Sequence, residues 1–211
     1  MLFTNKHIAT LSLACGISLG LIGCSTNHLP TATLHPSKTT NISEYSYLIG
    51  PGDTLNIFVW RNPEISGSFV VRPDGKITTS LVEDISVSGK TPTELARNIE
   101  QTLSTYIKDP IVTVSVNGFV GPFSEQVRVI GQAAKPMAVN YQQNMTLLDL
   151  MVVVGGLTQF ADGDAAKLVR VVNGKQQSYN IKINSLINSG DISANVDLLP
   201  GDIIIIPEAW F

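Results

Sequence analysis

Three regimes of hydrophobic patterning follow one another along the chain. Ile8 to Gly23 is apolar or small almost without interruption, residues 25–44 show no apolar period, and from Tyr45 onward short periodic runs are punctuated by Gly, Pro and Asp. In the first part of this last regime, 45–118, Leu55-Asn56-Ile57-Phe58-Val59-Trp60 alternates like a half-buried strand, with Trp60 expected in the core. Phe69–Arg72 and Lys76–Thr79 flank Pro73-Asp74-Gly75, which predicts a hairpin. Thr91-Pro92-Thr93-Glu94 is a capping box with Pro at the first helical position. Leu95, Ile99 and Leu103 continue it as a helix to about Tyr106, and Lys108-Asp109-Pro110 stops it. Ile111–Val116 predicts a further strand with Val112, Val114 and Val116 on one face.

The second part, 119–211, opens with a strand over Gln126–Gly131. Thr146-Leu147-Leu148-Asp149 caps a helix that buries Leu147, Leu150, Met151 and Val154 and ends at Gly155-Gly156. Lys167–Val172 and Gln177–Ile183 flank Asn173-Gly174, a second hairpin signal. Pro200-Gly201-Asp202 then leads into a buried strand, Ile203–Ile206, before Pro207. This repeats Pro51-Gly52-Asp53 and its strand, either as one turn chemistry used twice or as a duplication. Asp53 and Asp74, each beside Gly, are expected as turn residues bonding nearby N–H groups, so Asp53→Asn should be mild. Hairpins mixed with one helix in each half argue for an α+β fold of two small domains.

Composition narrows the function. With 44% apolar and 15% charged residues, the 211-residue chain is not disordered. A net charge of −3 provides no basic field for nucleic acid, so no nucleic-acid partner is expected. Two cysteines make no disulfide framework. All three histidines precede residue 36, which leaves the body without a Ser–His or Cys–His nucleophile. From Tyr45 onward no Walker loop, strand-GxGxxG-helix unit, HExxH, CxxC or GxSxG occurs. The expectation is therefore no enzyme, no cofactor and no metal. Paired carboxylates at Glu83-Asp84 and Asp162/Asp164 keep a glycan hydrolase formally open, although solvated turns account for them more simply. Trp60 and Tyr141 could stack on sugars, while His28 and His35 lie in a Ser/Thr/Asn/Pro-rich stretch and are expected to be solvated.

The apolar run at the start is short for a membrane span, which needs about 20 residues, and follows Lys6 as a secretory signal does. It ends in Leu21-Ile22-Gly23-Cys24, similar to a bacterial lipobox. Residues 1–23 are thus expected to be a lipoprotein signal cleaved between Gly23 and Cys24, with Cys24 lipidated and 24–44 serving as a tether. Several acyl chains anchor a protein stably. Ser25 after the cysteine favours the outer membrane over inner-membrane retention. The plainer alternative is an ordinary signal with an incidental cysteine.

The ordered set Tyr47-Leu48-Ile49-Gly50-Pro51-Gly52-Asp53, Val71-Arg72-Pro73-Asp74-Gly75-Lys76-Ile77, Gly89-Lys90-Thr91 and Tyr106-Ile107-Lys108-Asp109-Pro110 resembles the export domain of the polysaccharide biosynthesis/export family of Wza-type outer-membrane lipoproteins. Val129-Ile130-Gly131, Lys135-Pro136, Thr146-Leu147-Leu148-Asp149, Gly155-Gly156-Leu157 and Leu199-Pro200-Gly201-Asp202 resemble the soluble-ligand-binding β-grasp (SLBB) domain that follows it. The resemblance implies a lipid-anchored component facing the periplasm of a Gram-negative bacterium. It implies a homo-oligomeric ring carrying exopolysaccharide or capsule, working with an inner-membrane polysaccharide co-polymerase. Met137 departs from the family's Gly after Pro136. The ending at Trp210-Phe211 resembles short members from exosortase-linked clusters, which leads to the expectation that a separate outer-membrane β-barrel completes the route. Trp210 and Phe211 are candidates for that contact, for an interfacial foothold or for a packed strand end. The competing reading is a monomeric periplasmic lipoprotein that binds a glycan or peptide.

Overall fold

The computed structural model of the protein describes residues 37–210. Gly23, Cys24, His28, His35 and Phe211 lie outside them. The described elements form an α+β body with two hydrophobic cores, one in each half of the chain.

The first half contains β1 (Thr54–Val59), β2 (Gly67–Val70), β3 (Lys76–Ile77), β4 (Ile85–Ser86), α1 (Pro92–Leu103) and β5 (Val112–Asn117). β1 is central in an antiparallel sheet of order β2-β1-β5. Its alternation sends Leu55, Ile57 and Val59 into the core, where α1 supplies Leu95, Ala96, Ile99 and Leu103. Fully burying a side chain of this size contributes about 1.5–3 kcal/mol, which seats the helix on one face of the sheet. The helix starts where expected, with a complete Thr91/Glu94 capping box, but ends at Leu103 rather than near Tyr106.

Two further expectations fail in this half. The segments around Pro73-Asp74-Gly75 do not form a ladder together, because β2 pairs with β1 and β3 pairs with β4. The tight turn itself exists: the Gly75 N–H donates to the Arg72 carbonyl and the Arg72 N–H to the Lys76 carbonyl, both at 2.9 Å. The backbone of Val71, however, is already bonded to Gly52 and Asp53 at 2.9 and 2.8 Å, so the preceding strand belongs to β1. Trp60, expected in the core, is 54% exposed. Alternation continues past Val59, and the even positions of β1 all face outward.

The second half contains β6 (Gln126–Gly131), β7 (Ala138–Asn140), α2 (Leu147–Val154), β8 (Lys167–Val172), β9 (Lys175–Asn180), α3 (Ile183–Ile187) and β10 (Ile203–Ile206). The last strand inserts in the middle of a sheet of order β7-β6-β10-β8-β9. It runs parallel to β6 and antiparallel to β8, and with α2 over the core this is a β-grasp arrangement. Asn173 and Gly174 both have positive φ, 52° and 72°, as a two-residue hairpin turn requires. β9 stops at Asn180, short of the expected Ile183. Ile181 and Ile183 turn into the core instead, and Ile183 opens α3. Met137 sits exposed after Pro136 and is not among the residues with positive φ, so this turn proceeds without a glycine.

Candidate functional site: two Pro-Gly-Asp turns around the connecting segment

The two repeated motifs fold alike. In the first, the Asp53 N–H donates to the Gly50 carbonyl at 3.2 Å, and the Gly50 N–H donates to Asp53 Oδ2 at 2.9 Å. In the second, the Asp202 N–H donates to the Leu199 carbonyl at 3.2 Å, and the Leu199 N–H donates to Asp202 Oδ2 at 2.8 Å. Gly52 and Gly201 take φ of 92° and 86°, the left-handed region that favours glycine, and the preceding Pro51 and Pro200 have φ preset by their rings. Both aspartates are completely buried.

Beyond the turn, their partners differ. Asp53 also accepts from the Tyr47 hydroxyl at 2.6 Å and from the N–H groups of Val120 and Gly121 at 2.6 and 3.1 Å. Burial pushes the Tyr47 phenol up, and the adjacent Asp53 carboxylate adds to the shift. Asp202 receives a two-pronged ion pair from Arg170, Nε to Oδ1 at 2.8 Å and Nη2 to Oδ2 at 2.7 Å. That hydrogen-bonded pairing holds the guanidinium above its ordinary range despite partial burial. Asp53 therefore does more than shape its own turn. It ties that turn to a segment 67 and 68 residues further on. An Asn side chain has only one acceptor oxygen, so the expectation that Asp53→Asn is mild does not survive this geometry.

The connecting segment 118–125 is gripped from both ends. A Cβ on Gly50 would lie 2.0 Å from the Gly121 carbonyl carbon, and one on Gly201 would lie 2.7 Å from the Ser124 carbonyl oxygen. Gln126 Nε2 donates to the Val120 carbonyl at 3.0 Å and to Asn140 Oδ1 at 3.2 Å, while Asn140 Nδ2 donates to the Phe119 carbonyl. The buried Glu125 carboxylate accepts from Ser37 Oγ at 2.7 Å and from the Lys38 N–H at 3.3 Å. Lys38 Nζ donates to the Gly89 carbonyl at 2.6 Å. Residues 37–44, the last part of the expected tether, are thus docked on the body, with a 3-10 turn at Ile42–Glu44 capped by Asn41. Tyr45 meets Tyr141 edge-on at 5.0 Å, and Tyr47 meets Phe119 at 5.5 Å.

The remaining candidates are scattered. Asp74 and Asp84 flank Arg72 in exposed ion pairs at 2.7 Å, and Glu83 is exposed beside them. Asp162 caps a 3-10 turn through the Ala165 N–H at 3.1 Å. Asp164 accepts from the Ser185 N–H and hydroxyl at 2.9 and 2.8 Å, and the backbone bond foremost lowers its pKa. A general acid needs a raised carboxyl, and this one is shifted the other way. Tyr141 is buried in the second core and cannot stack on a sugar, whereas Trp60 is accessible and lies 6.4 Å from Phe58. Trp210 is 99% exposed. Among the described residues no group of three or more His, Cys, Asp or Glu is placed to hold a metal ion, and no helix is long and apolar enough to cross a membrane.

Sequence reasoning identified the two aspartates but not Tyr47, Glu125, Gln126 or Arg170 as their partners and neighbours. Tyr47 carried a local signal, lying six residues before Asp53 in the same motif. Arg170 carried none, because it reaches Asp202 only through the pairing of Val169 with Ile203 across the sheet.

The fold and junction define a two-domain α+β protein in which a small half built on a three-stranded sheet is stapled to a β-grasp half. Residues 41–117 match the family described as polysaccharide biosynthesis/export protein, and residues 125–206 match the SLBB domain. The chain belongs to the polysaccharide biosynthesis/export protein family. It is 29% identical over 187 residues to the EPS I polysaccharide export outer membrane protein EpsA of Ralstonia nicotianae, covering 77% of this chain and 47% of that protein. It is 26% identical over 182 residues to the capsule polysaccharide export protein BexD of Haemophilus influenzae, covering 76% and 43%. The exopolysaccharide production protein ExoF of Rhizobium meliloti is 26% identical over 156 residues, covering 68% and 36%. The chain spans about half the length, or less, of these relatives.

Proposed function

We propose that this protein is a periplasm-facing, lipid-anchored component of an exopolysaccharide or capsule export apparatus, whose copies assemble into a ring-like conduit. The observation that carries the reading is the presence of both family domains in family order on one body, joined by a buried junction. A conduit for a hydrated polymer requires repeated, rigid self-contact rather than a nucleophile, and small α+β domains fixed to one another can supply it. The relatives' names support the cargo class. An inner-membrane polysaccharide co-polymerase is the partner in this proposal, and Cys24 is the lipid attachment point. Deletion of the gene should abolish surface polysaccharide while intracellular synthesis persists, and undiminished surface polymer overturns the reading. Cys24→Ser replaces the thiol with a weaker nucleophile and should leave the protein unprocessed. Normal mass and outer-membrane location in that variant remove the anchor from the proposal. In mild detergent the assembled protein should have a mass several times that of one chain, and a mass of one subunit favours the monomeric binder.

A further inference from the structure

The outward face of the three-stranded sheet is a feature of the first half that the export reading leaves without a role. Phe58 and Trp60 are 52% and 54% exposed on it, and their rings lie 6.4 Å apart at 70°. Register places hydroxyl and amide side chains around Phe58, and the exposed Ile111 beside Trp60. Asn56 lies opposite Ser68 on one side and Ser115 on the other, and Thr113 lies opposite Phe58. All four polar residues are exposed. No outward position of β1, β2 or β5 carries a formal charge. Two large apolar rings exposed side by side on one sheet face form a contiguous apolar patch, the kind of surface that marks a contact site.

We infer that this face is a glycan-contact surface, on which an uncharged segment of polysaccharide stacks against Trp60 and Phe58 while its hydroxyls bond Asn56, Thr113 and the neighbouring serines. The inference rests on the export reading and deepens it by locating where polymer touches the protein.

Three arguments select this occupant. A pyranose has apolar C–H faces and a hydroxylated rim, and the site pairs aromatic rings with neutral groups that both donate and accept. The 70° angle between the rings denies a flat partner, such as a planar aromatic, simultaneous contact with both, whereas a puckered sugar chain can meet them in turn. The strands themselves offer no charge to an anionic headgroup, a nucleic acid or a charged peptide, and Arg61 after Trp60 is a single exposed cation at the edge of the face. Area argues against a second copy of the chain as the occupant. Six residues at about 3.3 Å by three strands at about 4.8 Å give roughly 280 Å². A stable protein interface needs about 800 Å² on each partner. The strip is the right scale for a short run of sugar units held weakly, as a transported polymer must be.

The test uses the full-length protein in detergent, with Trp210→Phe introduced so that Trp60 is the one remaining tryptophan. The probe is the extracellular polysaccharide purified from the producing cells. Its addition should change Trp60 emission and retard the protein in native gels. Phe58→Ser with Trp60→Ser should weaken retardation about tenfold, since aromatic contacts dominate small interfaces of this kind. Trp60→Tyr should retain most of it, which separates stacking from a general packing defect. Both changes fall on exposed side chains, and an unchanged melting curve verifies the fold. No emission change, or undiminished retardation of the double serine variant, overturns the inference. So does a double variant that binds polymer normally but loses self-association, because the face then serves a second copy. The export reading fails separately, if deletion of the gene leaves surface polymer intact.

Discussion

Asp53 satisfies four donors with two oxygens, and the bonds from the Gly50 and Gly121 N–H groups are fully buried while those from Tyr47 and Val120 are partly so. In Asp53→Asn, the amide nitrogen can face only the Tyr47 hydroxyl without meeting two N–H groups, since that hydroxyl can turn to accept. The Gly50 N–H is then left opposed, and an unmet buried donor costs about 1–3 kcal/mol. Chemical denaturation should show a loss of about 2 kcal/mol for Asp53→Asn and a larger loss for Asp53→Ala, which strands all four donors. A neutral Asn variant would mean that the carboxylate is dispensable and the staple is carried elsewhere. The burial of Tyr47 also predicts alkaline behaviour. Its pKa is raised in the fold, so its contribution is present below the unfolded value of about 10 and is lost as pH rises above it. Tyr47→Phe should flatten that alkaline loss while costing about 1 kcal/mol at neutral pH. Asp202 depends on one cation. Arg170→Met leaves a fully buried carboxylate without its ion pair and should destabilise by about 2–4 kcal/mol, the partial exposure of Arg170 keeping it below the extreme for such pairs.

At the level of elements, both longer helices begin with complete capping boxes, Thr91 with Glu94 and Thr146 with Asp149. These were legible because a cap needs only four consecutive residues. The bonds from Thr91 and Thr146 lower the pKa of Glu94 and of Asp149. A depressed carboxyl stabilises the fold above its unfolded value, near pH 4, and that stability is lost as pH falls through the lowered folded value. Melting temperature should therefore decline below about pH 4, and Glu94→Gln with Asp149→Asn should reduce the decline. An unaltered acid limb in that double variant would remove the caps as its cause. The strands were legible from period two, but not their partners. Phe69–Val70 pairs backward with β1 because Gly52 and Asp53 hold Val71, a contact that no local turn signal encodes. Trp60 was misplaced for a related reason. Alternation assigns faces relative to one another, and aromatic size then suggests the core, yet Leu55, Ile57 and Val59 already fill it. The exposed face around Phe58 became visible only once β1, β2 and β5 were laid side by side.

Across the described body, the two halves have separate cores, and sequence alone presents them as two domains on a linker. The connecting segment behaves otherwise. Asp53, Gln126, Asn140 and Glu125 bond the stretch 118–125 and its surroundings, and the backbone of Gly50 packs against Gly121 and Pro122 with no room for a methyl group. A junction with buried, charge-assisted hydrogen bonds couples what two small cores would otherwise do independently, and small cores gain most from such coupling. The full protein should consequently unfold in one calorimetric transition. Gly50→Ala would drive a Cβ to 2.0 Å from the Gly121 carbonyl carbon, so the two backbones must part. That variant should resolve into two transitions, one for each half, with the near-native spectra of both preserved at low temperature. Gly174→Ala provides the control. Its φ of 72° strains the hairpin by about 1–2 kcal/mol, but nothing lies within 4 Å of the added methyl and the junction is untouched. It should lower the melting temperature while keeping a single transition. If the native chain itself melts in two steps, or Gly50→Ala still melts in one, the junction does not unite the halves. The rigid repeating unit that a ring of copies requires would then have to come from contacts between chains.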